Sequence, residues 1–283
     1  MSIKPFLILF FLFVSNVVFA GQYDTAVFNP LLRQMKLYSD TLRNSFNQEK
    51  RFVYNDSFTL TLQEFINTEG SFDVDADSIN TVMFKRSPNN KIRAITWLVA
   101  DNDGNYKSYG VIQYKTKKEV VNYWLSEKQG RDKKELENNE FSPLNWTGGL
   151  IYQIYEFKYK RKVRYLILTF HGMDTKVNRK TIDVLTITNE ELYFGLPIFM
   201  RYNGDPDPDY RVLFTFSDQT TMTLRYDTKE KMIVYDHLVP AANFVAGSDE
   251  FLIPDGTYGA YKPIKKGKWL KLEDFGEYKD LEK

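Results

Sequence analysis

The sequence predicts a mainly β fold: an antiparallel meander arranged as a sandwich, a barrel or a propeller-like assembly, with an N-terminal α-helix packed on it. Three observations predict this fold. Aromatic residues, which favour strands, make up 16% of the chain. From about residue 79 onward, apolar and polar residues mostly alternate, as in strands with one buried face. Short alternating segments follow one another at regular spacing between turn sequences, which is typical of antiparallel sheets.

Residues 1–20 have the pattern of a cleavable secretory signal peptide. Lys4 precedes the apolar run Phe6–Val14, and the segment ends in a small residue, Ala20. This order is that of signal peptides, and the run is shorter than the roughly 20 apolar residues that cross a bilayer. We expect cleavage after Ala20 and a periplasmic or secreted mature protein that does not span the membrane. The chain has no cysteine, so we expect neither lipid attachment through cysteine nor disulfides.

A helix is expected within residues 21–50. Asn29 can cap it, and Pro30 suits its first position. The apolar residues of this segment are spaced three and four apart, as on one face of a helix. They are Phe28, Leu31, Met35, Tyr38, Leu42 and Phe46. We predict that this stripe packs on the β-structure of the same chain, because an isolated helix would leave it in water. The alternative is a helix that binds a partner.

Two β-rich regions follow, at residues 51–128 and 145–283, and they can form one domain. Residues 59–67 fit either a strand, by alternation, or a short helix, by capping-box spacing. Residues 129–144 are charged and nearly free of apolar side chains, which indicates a solvated connection or an exposed helical turn.

Residues 211–216 and 221–226 alternate most clearly and are expected to pair. Strands are expected at 81–85, 92–100, 106–114, 120–125, 150–159, 163–170, 181–188, 193–200, 211–216, 221–226, 232–238 and 269–272.

The charges of the chain nearly balance, with 38 Lys and Arg against 37 Asp and Glu. A nucleic-acid-binding protein normally has a clear basic excess, so we expect no nucleic-acid partner. The hydrophobic content of 43% indicates a packed globule rather than a disordered chain.

Several segments taken together suggest a relationship. They lie at residues 90–97, 145–152, 180–185, 222–226, 232–240 and 254–258. Together they resemble a group of uncharacterised exported proteins common in Bacteroidetes-type bacteria, and the segment Tyr235-Asp236-His237-Leu238 is the most specific piece. The resemblance implies a Gram-negative setting and agrees with the predicted signal peptide. It implies no catalytic residues.

Four residues are candidates for catalysis or binding. Asp236 and His237 are the candidate catalytic pair, because a carboxylate can fix the tautomer of an imidazole, although adjacent strand residues point to opposite faces. Trp146 and His171 are candidate binding residues, and an exposed aromatic ring can stack on a sugar. The alternatives are an aromatic residue of the core and a histidine at a strand end.

Three carboxylates are crowded into one loop, at Asp205, Asp207 and Asp209, where two prolines stiffen the chain. Calcium prefers such oxygen ligands, so a Ca²⁺ site is the one cofactor site that the sequence suggests. The alternative is a solvated connection.

The sequence contains no serine-hydrolase elbow, phosphate-binding glycine loop or histidine-based zinc motif. It therefore favours a non-enzymatic role in binding or envelope assembly, with a glycan or an envelope protein as partner. The alternative is a carbohydrate-active hydrolase with two carboxylates. Acids such as Glu156, Asp183 and Glu191 lie in β-rich sequence and could converge in such a site.

Overall fold

The computed structural model of the protein describes residues 25–241 and 252–275. The predicted signal peptide and its cleavage site lie outside these residues. Two helices are followed by antiparallel sheets that stack as layers, so the predicted mainly β fold with an N-terminal helix is confirmed. Within the described ranges, we find no helix that has both the length and the apolar character needed to cross a bilayer.

The N-terminal segment forms a hairpin of two helices, α1 (Thr25–Asn44) and α2 (Gln48–Asn67). Helix α2 is capped by Asn47, whose side chain accepts a hydrogen bond from the backbone N–H of Lys50. Residues 59–67, which fitted either a strand or a helix, therefore belong to α2. The helix forms because Phe58, Leu62 and Phe65 then share one buried face at spacings of four and three.

The predicted stripe of α1 packs on the first sheet, as expected for Phe28, Leu31, Met35 and Leu42, which are all buried. The inclusion of Phe46 was wrong. Helix α1 ends at Asn44, so Phe46 lies in the connection to α2 and is 100% exposed. The predicted start at Asn29 and Pro30 was also wrong, because α1 begins at Thr25 and contains the proline.

The first sheet has the order β1-β2-β3-β4 and is antiparallel throughout. Its strands are β1 (Met83–Arg86), β2 (Ile92–Ala100), β3 (Tyr106–Lys115) and β4 (Val120–Ser126). Ile95, Trp97 and Val99 face the helices, whereas Ile92 and Ala94 face the second sheet. Because both faces are covered, β2 is apolar over most of its length.

The second and third sheets stack on the far side of the first. The second sheet has the order β10-β7-β6-β5, with β8 also paired to β7, and the third has the order β11-β12-β13-β14-β9. The second sheet contains β5 (Leu150–Tyr159), β6 (Lys162–Gly172), β7 (Val177–Thr188), β8 (Glu191–Phe194) and β10 (Val212–Ser217). The third contains β9 (Phe199–Met200), β11 (Leu224–Asp227), β12 (Met232–Pro240), β13 (Leu252–Pro263) and β14 (Trp269–Leu272).

The expected pairing of residues 211–216 with 221–226 was wrong. Strand β10 pairs with β7, and β11 pairs with β12. The apolar side chains of the two segments do share one core cluster, which contains Val212 and Phe216 together with Met222 and Leu224. The two segments are therefore neighbours between sheets rather than within one sheet.

The charged segment 129–144 contains a short helix, α3 (Lys133–Asn138), that is fixed to the second sheet. Leu136 is buried, and its carbonyl oxygen accepts a hydrogen bond from Arg211, which precedes β10. The segment is therefore only partly solvated, because Leu136 and Phe141 are buried against the body of the protein.

Candidate functional site

A cavity of about 410 Å³, lined by both polar and apolar groups, opens where β3 begins and where β6 and β7 approach their shared turn. The side chains of Ser108, Glu127, Thr147, His171 and Arg179 are among those that line it. These residues come from β3, the segment after β4, the segment before β5, β6 and β7, so the cavity exists only in the folded chain. Its volume falls in the range of small-molecule binding sites.

Glu127 follows β4 directly and is held in place by its neighbours. It forms an isolated parallel bridge with Trp146, and its Oε2 accepts a hydrogen bond of 2.6 Å from the backbone N–H of Ser108. Burial raises the pKa of Glu127, although hydrogen bonds from Ser108 and Gln129 oppose this shift. The carboxyl group is therefore partly desolvated, and it lines the cavity.

Two glycines lie directly against Glu127 and His171. Gly148 and Gly149 have φ angles of +86° and +96°, and the N–H of Gly149 donates to Ser108 Oγ at 2.9 Å. A Cβ at Gly148 would overlap the carboxylate of Glu127, and one at Gly149 would lie 2.8 Å from the His171 ring. Only glycine combines this backbone conformation with such close approach.

We expect Gly149→Ala to destabilise the protein by about 2–4 kcal/mol, because the methyl group adds a clash with His171 to the cost of a positive φ. Gly204→Ala is the matched control, since Gly204 has a φ of +84° but open space around its Cβ position. Urea unfolding gives the two free energies. The imidazole NMR signals report the ring, because the chain has only two histidines. Equal losses in both variants would contradict the predicted contact.

His171 lies near the end of β6 and is buried. Its Nε2 is 2.9 Å from the hydroxyl oxygen of Thr169, which in turn shares a hydrogen bond with the hydroxyl group of Thr181. Burial, with the nearby Arg179 and Arg211, lowers the pKa of His171 to about 3. The imidazole is therefore neutral near pH 7. A group with this pKa is a weak general base, since efficient bases have pKa values near the working pH.

The arginines of the cavity support its walls. Arg131 donates to the carbonyl oxygen of Asn145 at 2.8 Å, pairs with Glu135 at 3.2 Å, and lies 4.0 Å from the centre of the Phe141 ring. Arg179 donates from Nε to Thr215 Oγ1 at 3.3 Å. These contacts hold the segment after β4 against the start of β5 and hold β7 against β10.

The structure gives Asp236 and His237 different partners. Asp236 Oδ2 accepts a hydrogen bond of 2.7 Å from the backbone N–H of Thr223, whereas His237 Nδ1 is 2.8 Å from Thr257 Oγ1. The register of β12 against β13 shifts at this point. Both residues belong to the third sheet and neither lines the cavity.

Of the two candidate binding residues, His171 lines the cavity and Trp146 lies beside it. Trp146 is only 1% exposed and packs between the first and second sheets, 6.4 Å from the ring of Phe194. Its ring is enclosed by protein, so it presents no face for a sugar to stack on. The backbone of Trp146 helps to position the cavity lining, because its carbonyl oxygen accepts a hydrogen bond from the N–H of Lys128, which lines the cavity.

In the proline-containing loop, Arg201 is bound by the carboxylates of Asp205 and Asp209 and by the backbone carbonyl oxygen of Asp207. Asp205 accepts a hydrogen bond from Arg201 Nε at 3.0 Å, and Asp209 lies 3.8 Å from the same guanidinium group. In residues 25–241 and 252–275, no three His, Cys, Asp or Glu side chains are grouped as metal ligands would be. The acids Glu156 and Glu191 are exposed, and Asp183 is buried against Arg211.

Sequence reasoning missed Glu127 and Ser108. Neither residue belongs to a motif, and they lie 19 positions apart, Ser108 on β3 and Glu127 directly after β4. The available signal was the pair Gly148-Gly149 after Trp146, because consecutive glycines permit close approach of the backbone to other groups. Comparison of the chain with models of protein families, with curated proteins and with solved structures gave no significant match.

Proposed function

We propose that the chain is an exported, non-enzymatic binding protein of the cell envelope whose cavity holds a small hydroxyl-bearing ligand, such as one sugar unit of a glycan. The observation that carries this proposal is the grouping of Ser108, Glu127 and His171 around one cavity, with the backbone of Gly148-Gly149 packed closely against them.

The chemistry of the lining suits hydroxyl groups, which both donate and accept hydrogen bonds. Glu127 offers an acceptor, and the neutral imidazole of His171 can donate or accept a hydrogen bond. Tyr106 also lines the cavity, with its ring packed against Gly172. An aromatic ring beside polar groups matches the alternating apolar and polar surface of a sugar.

A hydrolase with two carboxylates is the second candidate, because Asp101 lines the same cavity as Glu127. The carboxylate of Asp101 is engaged within its own turn, where it accepts hydrogen bonds from Asp103 and Asn105. Glu127 is therefore the better placed of the two for proton transfer, and binding is the better supported role.

The test is a glycan array followed by calorimetric titration of the best ligand against the protein and two variants. We expect Glu127→Gln to weaken binding roughly 10- to 100-fold, because a hydrogen bond to a charged acceptor contributes about 1.5–3 kcal/mol. Glu119→Gln is the control, since Glu119 is exposed in the β3–β4 turn and lies outside the cavity lining. It should bind like the unmodified protein.

Two results would contradict the proposal. Binding that survives Glu127→Gln unchanged would place the ligand elsewhere on the protein. Steady release of sugar from the bound glycan, abolished by Glu127→Gln, would make the chain a hydrolase and Glu127 its acid.

A further inference from the structure

Two turns that are distant in sequence meet at one end of the molecule. They are the β5–β6 turn, residues 158–162, and the β13–β14 connection, residues 265–268. A Cβ at Gly267 would lie only 2.5 Å from the carbonyl oxygen of Lys158, so the backbones touch. Together they carry a basic patch, which consists of Lys158, Lys160, Arg161, Lys162, Lys265, Lys266 and Lys268.

The basic patch has no acidic side chain in the depression between its two turns and no ion pair among the described residues. The shallow depression between the two turns is lined by five of the cations with Tyr159 and Gly267, and by no acidic side chain. None of the seven cations forms an ion pair within the part of the chain that the structure describes. Because the whole chain is almost neutral, the basic patch is a local segregation of charge.

Three of these cations lie at positions where the backbone conformation is strained. Lys160, Arg161 and Lys266 have φ angles of +47°, +65° and +67°. A two-residue hairpin turn with two positive φ angles favours Asn-Gly, because other side chains are strained there. The comparable β7–β8 turn has Asn189 and Glu190 at these positions, with φ angles of +52° and +65°. The β5–β6 turn instead has cations at both strained positions, so two like charges stand side by side where the chain turns.

We propose that the basic patch docks the protein on a lipid bilayer that exposes anionic phosphate headgroups. Clusters of four to eight Lys and Arg are of the size that binds anionic membranes. Apolar groups that suit an interface lie beside the charges: Val163 is 44% exposed, and Lys160 lies 5.1 Å from the centre of the Tyr159 ring. A nucleic acid is the less suitable polyanion, because the depression has only one aromatic ring on which bases could stack.

The test is co-sedimentation of the protein with vesicles of equal parts phosphatidylglycerol and phosphatidylcholine. The double substitution Lys160→Asn with Arg161→Gly removes two charges and gives the turn its preferred residues. We expect roughly 30-fold weaker binding to these vesicles, together with a melting temperature higher by about 3 °C or more. Opposite changes in binding and stability exclude misfolding as the cause. Lys117→Gln with Lys118→Gln is the control, because it removes two exposed charges from the β3–β4 turn.

The proposal predicts that binding weakens steeply as salt is raised and is weak on vesicles of phosphatidylcholine alone. It is overturned if neutral vesicles bind equally well, or if the variant and its control lose the same affinity. Tight binding of an oligonucleotide without binding to anionic vesicles would also overturn it and would assign the basic patch to nucleic acid.

Discussion

Replacing Arg211 by Met should lower the free energy of unfolding by about 3–5 kcal/mol, because it leaves a buried carboxylate without its partner. The guanidinium group of Arg211 is fully buried, and its Nε donates to Asp183 Oδ2 at 2.8 Å. It also donates to three carbonyl oxygens, those of Leu136, Asn139 and Phe194. One side chain thus joins β7, the end of β8 and the α3 segment.

Guanidinium unfolding followed by circular dichroism measures this effect, and two further variants separate its causes. The double variant Asp183→Leu with Arg211→Met should recover part of the loss, because an apolar pair no longer leaves a buried charge unpaired. Lys36→Met breaks the exposed Lys36–Asp40 pair and should change stability by about 0.5 kcal/mol or less. A small effect of Arg211→Met would mean that α3 is not held by this contact.

Met35→Asp should cost about 4 kcal/mol or more, because it puts a carboxylate into the apolar contact between α1 and the rest of the protein. Met35 is 0% exposed in the core cluster that joins both helices to the first sheet. Leu37→Asp is the matched control, since Leu37 lies two residues further along the same helix and is 61% exposed. It should change stability by no more than about 0.5 kcal/mol.

The measurement is thermal unfolding followed by the fluorescence of the chain's four tryptophans, which include Trp97 beneath the helices. A single transition that moves to lower temperature in Met35→Asp would mean that the helices and sheets unfold together. Equal melting temperatures for Met35→Asp and Leu37→Asp would contradict the docked position of α1.

Helix α2 and strand β13 show the limits of predicting secondary structure from local sequence patterns. The alternation of Phe58, Leu60 and Leu62 suited a strand, yet Leu60 is exposed and the other two are buried in a helix. Strand β13 was not predicted, because Pro254, Asp255 and Gly256 are typical turn residues. They lie in a strand here, beside the register shift in β12. In both places packing against distant residues outweighed the local preference.

The candidate site depended even more on packing. His171 was chosen from the sequence as a scarce residue at a strand end, and it does line the cavity. Glu127 and Ser108 have no local signal in the sequence. The pKa of a carboxyl group, such as that of Glu127, is perturbed only by burial and by its neighbours in the folded chain. The closeness of Gly149 to His171 likewise joins two segments that are far apart along the chain.

The sequence by itself determined most of the strands, many of the turns between them and most of the buried face of α1, because alternation, turn residues and helical spacing are local properties. Only the tertiary structure decided that β10 and β11 belong to different sheets and that the layers stack with the helices outermost. It also decided that Ser108, Glu127 and His171 share one cavity and that two basic turns share one surface. The physical reason is that alternation states which face of a strand is buried but not which partner buries it.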